Sequence, residues 1–184
     1  MRTSILGLLL LASCATETAI QRESREAFES YIQAAVEGDP VKTFTLLSDT
    51  FKSEWVFQRL EVGDGPARRW RGELQGQART DLDLWWEYCK KHRENRPRAD
   101  RLPVSVLAHP SLPALWNEYF QADRNAYRVR FSGMQVMEVY PGDGGVTLTA
   151  RNGEGRTEMF GLIAETEGWK IDNHKPPKGA PAPR

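Results

Sequence analysis

The 184 residues carry 25 basic and 25 acidic side chains, six Trp, seven Phe and five Tyr. Balanced charge removes the basic footprint of a nucleic-acid-binding domain, so nucleic acid is not an expected partner. The length fits one domain, and the aromatic content is enough for a sizeable core.

Residues Ile5 to Ala12 are apolar apart from Gly7 and follow a start carrying Arg2. The run falls far short of the roughly 20 apolar residues of a membrane-spanning helix. It fits a secretory leader: a charged start, a short apolar run, then small residues at the cut. Leu11-Ala12-Ser13-Cys14 resembles the lipobox of bacterial lipoprotein precursors. That resemblance implies cleavage between Ser13 and Cys14, a diacylglyceryl thioether on the Cys14 sulfur and acylation of the new amino terminus. Each buried CH₂ contributes about 0.8 kcal/mol, so one acyl chain holds marginally and two or three hold firmly. The implied address is the bacterial cell envelope, facing the periplasm, with the membrane as partner through the anchor. Ala15 after the cysteine resembles the outer-membrane default of two-membrane bacteria. The plain alternative is an ordinary signal peptide with an incidental cysteine. With residues 1–13 as leader and 14–22 as a lipidated tether, Cys89 is left without a partner cysteine in the chain. Such a thiol is either reactive or a small buried hydrophobe.

A domain is expected over residues 23–173. Ala27, Phe28, Tyr31, Ile32, Ala35 and Val36 recur at helical spacing, and Gly38 stops the helix. Asp39 as N-cap and Pro40 at the first position start a short second helix with Val41, Phe44 and Leu47. Phe51, Trp55, Val56 and Leu60 suit a third helix, Gly63 to Pro66 a loop, and Ala67 to Leu74 either a strand or an irregular segment. Thr80 is the expected cap of the next helix, with Asp83 completing an approximate capping box. Its apolar stripe is Leu82, Trp85, Trp86 and Cys89, and Lys90 to Arg93 suit its C-terminal dipole. Pro97 to Pro103 break the chain, and a helix follows from Pro110 to about Phe120. From Tyr127 the period changes to two. Tyr127, Val129 and Phe131 alternate with arginines, and strands follow at 135–140, 146–150, 157–165 and 169–172, separated by Gly-rich turns. Such short turns join antiparallel neighbours. The prolines after His174 predict a disordered or extended tail over 174–184.

Helices followed by a curved antiparallel meander of four to five strands make an α+β domain. The helix ending Glu37-Gly38-Asp39, the short helix with Phe44 and Leu47, and a meander ending Gly168-Trp169-Lys170-Ile171 together resemble the nuclear transport factor two-like superfamily, which includes ketosteroid isomerase and polyketide-cyclase-like proteins. The resemblance implies a conical sheet wrapped around helices with an apolar pocket at its open end. Fold alone does not assign an activity.

Candidates for acid–base chemistry in such a pocket are Asp49, His109 and Asp172, with Tyr31 or Tyr127 as donors, each of which also suits a cap or a solvated surface. Trp55, Trp85, Trp86 and Trp116 are candidate walls for an apolar cavity, or ordinary core. Arg68 to Arg71 and Lys90 to Arg101 are the most basic stretches, diluted by Glu73, Glu94 and Asp100. Cys89 and His92 do not make the three or four ligands a zinc site needs, so no metal is expected. Neither a Gly-x-Ser-x-Gly nucleophile turn nor a Gly-x-x-x-x-Gly-Lys phosphate loop occurs, and no cofactor is expected. Three functions fit: a non-catalytic domain binding a small apolar ligand or an envelope protein, an isomerase- or cyclase-like enzyme, or an accessory structural subunit pairing, as a homodimer for instance, through its sheet.

Overall fold

The computed structural model describes residues 17–95 and 99–175. Ser13, Cys14 and the leader lie outside the described residues, as does the chain after Lys175.

The first helix, α1 (Ala19–Glu37), begins inside the stretch expected as tether. Thr18 and Gln21 close a reciprocal capping box: the Gln21 N–H donates to Thr18 Oγ1 at 3.2 Å, and the Thr18 N–H donates to Gln21 Oε1 at 2.9 Å. The buried stripe Phe28, Tyr31, Ala34 and Ala35 follows helical spacing. Gly38 ends the helix in the left-handed region at φ 79°, which a side chain would strain. Asp39 then caps α2 (Pro40–Thr45), accepting from the Lys42 N–H at 2.9 Å.

Ser48 caps α3 (Asp49–Glu61), accepting from the Phe51 N–H at 2.9 Å. The undecided segment 67–74 belongs largely to a further helix, α4 (Gly65–Glu73), which also takes in the end of the expected loop. Pro66 suits its first turn, and Ala67 and Trp70 face inward three residues apart. The next helix, α5 (Gly76–His92), starts four residues before the expected cap. Thr80 lies inside it, with its hydroxyl donating back to the Gly76 carbonyl. Asp83 receives Arg71 Nε at 2.7 Å and Arg79 Nε at 2.6 Å instead of closing a box. Leu82, Trp85, Trp86 and Cys89 form the buried stripe as expected. After a 3₁₀ turn at Arg93–Asn95 come the short α6 (Val104–Leu107) and then α7 (Ser111–Ala122), whose buried face is Leu112, Leu115, Trp116 and Phe120.

Tyr127, Val129 and Phe131 do not form a strand. They lie on α8 (Arg124–Phe131). Tyr127 and Phe131, four residues apart, share a helix face and stack at 6.1 Å, while Phe120 stacks on Tyr127 at 4.9 Å. Val129, whose burial a strand required, is 67% exposed. The same three residues satisfy both periods; packing against the end of α7 selects the helix.

Among the described residues the sheet has four antiparallel strands in chain order: β1 (Gln135–Gly142), β2 (Gly145–Arg151), β3 (Thr157–Glu165) and β4 (Gly168–Lys175). The last strand runs past its expected end at 172, because β3 offers pairing partners as far as Met159. Gly144 takes φ 81° in the tight turn between β1 and β2. Val139, Val146, Leu148, Ala150, Phe160, Leu162 and Ile171 supply the buried face, and α1 lies on it, with Phe28 and Phe160 centroids 4.5 Å apart. Arg130 of α8 donates to Glu158 of β3 at 3.0 and 3.2 Å.

Both sheet margins are engaged. On β4 the Ile171 N–H donates to the Leu46 carbonyl and the Ser48 N–H donates to the Ile171 carbonyl, both at 2.8 Å, so the α2–α3 link continues the ladder. On β1, Gln21 Nε2 of α1 donates to the Val139 carbonyl at 3.0 Å. A register shift between Val136 and Glu138 further interrupts β1, and Pro141 offers no donor.

Candidate functional site

The helical half of the core places the four candidate tryptophans. Trp116 is 2% exposed, its indole N–H donates to Thr43 Oγ1 at 3.1 Å, and Trp55 meets it edge-on at 5.2 Å. Trp85 donates to the Asp100 carbonyl at 2.8 Å, and Trp86 lies 5.0 Å from the Phe57 ring. These indoles pack against one another and their neighbours, with Cys89 as a buried thiol outside any disulfide.

The acid–base candidates fall in three places. Tyr31 and Tyr127 both pack on Phe131. Burial pushes both hydroxyls up in pKa, helped for Tyr31 by neighbouring Tyr127 and for Tyr127 by Asp123. His109 sits just before α7, its Nδ1 2.7 Å from Ser111 Oγ, which also accepts the Trp70 indole N–H at 2.8 Å. The Ser111 N–H points at the same Nδ1 at 3.3 Å, so the ring serves the start of the helix. Asp172, 7% exposed, accepts the Ser48 hydroxyl at 2.8 Å. Asp49 follows Ser48 directly. The fold therefore brings Asp49 and Asp172 to one region through Ser48, and leaves His109 and the tyrosines elsewhere.

Asp49 opens into a cleft with a volume of ≈610 Å³ between α3, α6 and the β3–β4 hairpin. Its carboxylate pairs with Lys52 at 3.3 Å and with Arg101. Burial alone would raise the Asp49 pKa, but the two cations and their hydrogen bonds prevail and hold it below the ordinary value. Across the cleft Glu165 accepts the Asp49 N–H at 3.1 Å, and Lys170, 7% exposed, reaches the Thr45 carbonyl at 2.7 Å and Glu167 at 3.3 Å. Val104, 77% exposed, and Leu107 give the cleft an apolar lip. Three cations and three anions thus face one hollow. The i, i+3 pair Asp49–Lys52 was readable in sequence, and Arg101 lay in a noted basic stretch. Glu165, Glu167 and Lys170 had no local signal, since turns and strand ends carry such residues routinely.

The noted basic stretches are largely ion-paired: Arg69 with Glu118 at 2.7 Å, Arg71 with Asp83 at 2.7 Å, Lys90 with Glu87 at 2.8 Å and Arg93 with Glu54 at 3.2 Å. Glu54 also accepts the Ala99 N–H at 2.6 Å. Burial opposes ionisation of Glu54 and Asp83, but their donors outweigh it and lower both pKa values. Three carboxylates with depressed folded-state values dictate the sign of the acid response. Their stabilisation is complete above the ordinary values of 3.8 and 4.5 and is lost as pH falls through the lower folded values. The urea midpoint is expected to hold steady down to about pH 5 and then to fall. A midpoint rising on acidification below that point would contradict these pairings.

Among the described residues no group of three or more His, Cys, Asp or Glu could hold a metal ion, and no helix is long and apolar enough to cross a membrane. The chain matches no protein-family model, no curated protein and no solved structure.

Proposed function

We propose that this chain is an envelope lipoprotein, anchored through Cys14, whose α+β domain binds a ligand or a protein segment in the Asp49–Arg101–Lys170 cleft without catalysing a reaction. We read the arrangement as nuclear transport factor two-like, on the support of α1 lying across a four-strand meander. The carrying observation is the cleft, where charges of both signs line the hollow beside an apolar lip. Such a lining suits an occupant that itself bears both charges and some apolar surface. Asp49, held ionised by two cations, is a poor proton acceptor near neutral pH, which favours binding over proton transfer.

Native lipoprotein extracted from its envelope should carry co-purifying small molecules or protein that a Lys52→Ala/Arg101→Ala variant loses, with folding unchanged by circular dichroism. Equal recovery from both proteins would remove the cleft from consideration. The anchor has a separate test. Cys14→Ser should abolish processing and membrane association together, and a variant still cut and still membrane-bound would defeat the lipobox reading.

A further inference from the structure

The cleft beside α3 is balanced in total charge but unbalanced wall by wall. On the α3 side Asp49 is shared between two cations: Lys52 lies 3.3 Å from one carboxylate oxygen, and Arg101 bonds the other. Among the described residues neither cation has a second carboxylate partner, so this wall keeps one positive charge in excess. The Phe44 ring, 4.8 Å from the Lys52 ammonium, helps to hold it in place, and the Lys52 side chain is only 13% exposed. On the hairpin side Lys170 and Glu167 pair at 3.3 Å and cancel. Glu165 is different. One of its oxygens accepts the Asp49 N–H at 3.1 Å, and among the described residues no cation pairs with it. Its charge is the uncompensated one on that wall.

The two poles lie close together. Asp49 touches both, with its N–H on Glu165 and its carboxylate on Lys52 and Arg101. An occupant that answers both must carry its own opposite charges within about two residues of chain, roughly 7 Å. An ammonium has three donors and a guanidinium five, so Lys52 and Arg101 keep N–H groups for a second carboxylate. Val104, Leu107 and Ala164 line the same hollow, and the exposed Val104 offers apolar surface that gains by being covered. A ligand with one charge leaves a pole unanswered. A wholly polar one leaves the lip in water.

We propose that the cleft takes a short zwitterion of the amino acid or dipeptide class that bears an apolar side chain. Its carboxylate meets Lys52 and Arg101, its ammonium meets Glu165, and its side chain lies on Val104 and Leu107. This rests on the reading of the Asp49–Arg101–Lys170 cleft as a binding site and names the chemistry of its occupant.

The test is calorimetric titration of the full chain, purified in mild detergent, with leucyl-leucine, its N-acetyl form, its C-terminal amide and glycyl-glycine. Free leucine is titrated alongside, to separate the single amino acid from the dipeptide. Leucyl-leucine or leucine should bind, and blocking either charge or removing the side chains should weaken binding about tenfold. Glu165→Gln should erase the penalty of N-acetylation and leave that of amidation. Lys52→Met combined with Arg101→Gln should do the reverse. Circular dichroism checks the folding of each variant, and the probe series on the parent chain decides the matter even where a variant fails to fold. Equal binding of the free and N-acetylated dipeptides to the parent chain overturns the proposal. Binding of none of the probes overturns it too; a native ligand lost by the Lys52→Ala/Arg101→Ala protein would then keep the cleft as a site for another occupant, a protein segment included. Leucyl-leucine held equally by the parent chain and all variants places the dipeptide elsewhere and overturns the proposal as well.

Discussion

Phe28→Ala should cause one of the largest losses of stability in the sheet half of the core. Phe28 is fully buried in the middle of α1, and its ring meets that of Phe160 at 4.5 Å on β3. Removing a buried phenyl loses its transfer free energy and leaves a cavity, together about 3–5 kcal/mol. The surroundings cannot close easily, because Phe131 and Phe160 are themselves fixed, their centroids 6.4 Å apart. A loss of that size lowers the melting temperature by roughly 6–20 °C in a domain of this length. Urea unfolding is the measurement, and an unchanged slope with a lower midpoint identifies a true loss of stability. A shift below about 1 kcal/mol would mean that α1 does not pack on the sheet as described.

Trp116→Ala should do comparable damage in the helical half. This indole holds α7 against α2 and α3 through contacts with Phe44 at 6.2 Å, Trp55 at 5.2 Å and the Thr43 hydroxyl. The expected loss is again about 3–5 kcal/mol. Trp116→Phe separates the two contributions. It keeps most of the ring volume, forfeits the hydrogen bond to Thr43, and should cost about 1 kcal/mol plus a small packing defect. Equal losses for the two variants would show that the hydrogen bond, and not the packed ring, dominates at this position.

The contrast between these two halves explains what sequence patterning could reach. Helices α1, α2 and α5 announced themselves because each carries apolar residues at helical spacing, with Gly38 and Asp39 marking ends by chemistry that acts within a few residues, whereas α3 and α7 were only suggested by theirs. The strands from Gln135 onward were equally legible, since glycine-bearing turns punctuate them. Tyr127 to Phe131 misled because residues two apart also sit four apart, and the decision depended on Phe120 across a helix junction. Ala67 and Trp70 give too short a stripe to declare a period. The cleft was least legible. Its six charges come from α3, from the segment before α6, and from the β3–β4 hairpin, more than a hundred positions apart in places, and no local pattern encodes that meeting.

The two engaged sheet margins bear on how copies of this chain meet one another. A bare strand at either margin would turn each collision into an opportunity for irreversible cross-molecular pairing. Here Leu46 and Ser48 take the pairing groups of Ile171, and Gln21 takes the outward carbonyl of Val139. These contacts occupy part of each margin and narrow the scope for strand-to-strand pairing between copies.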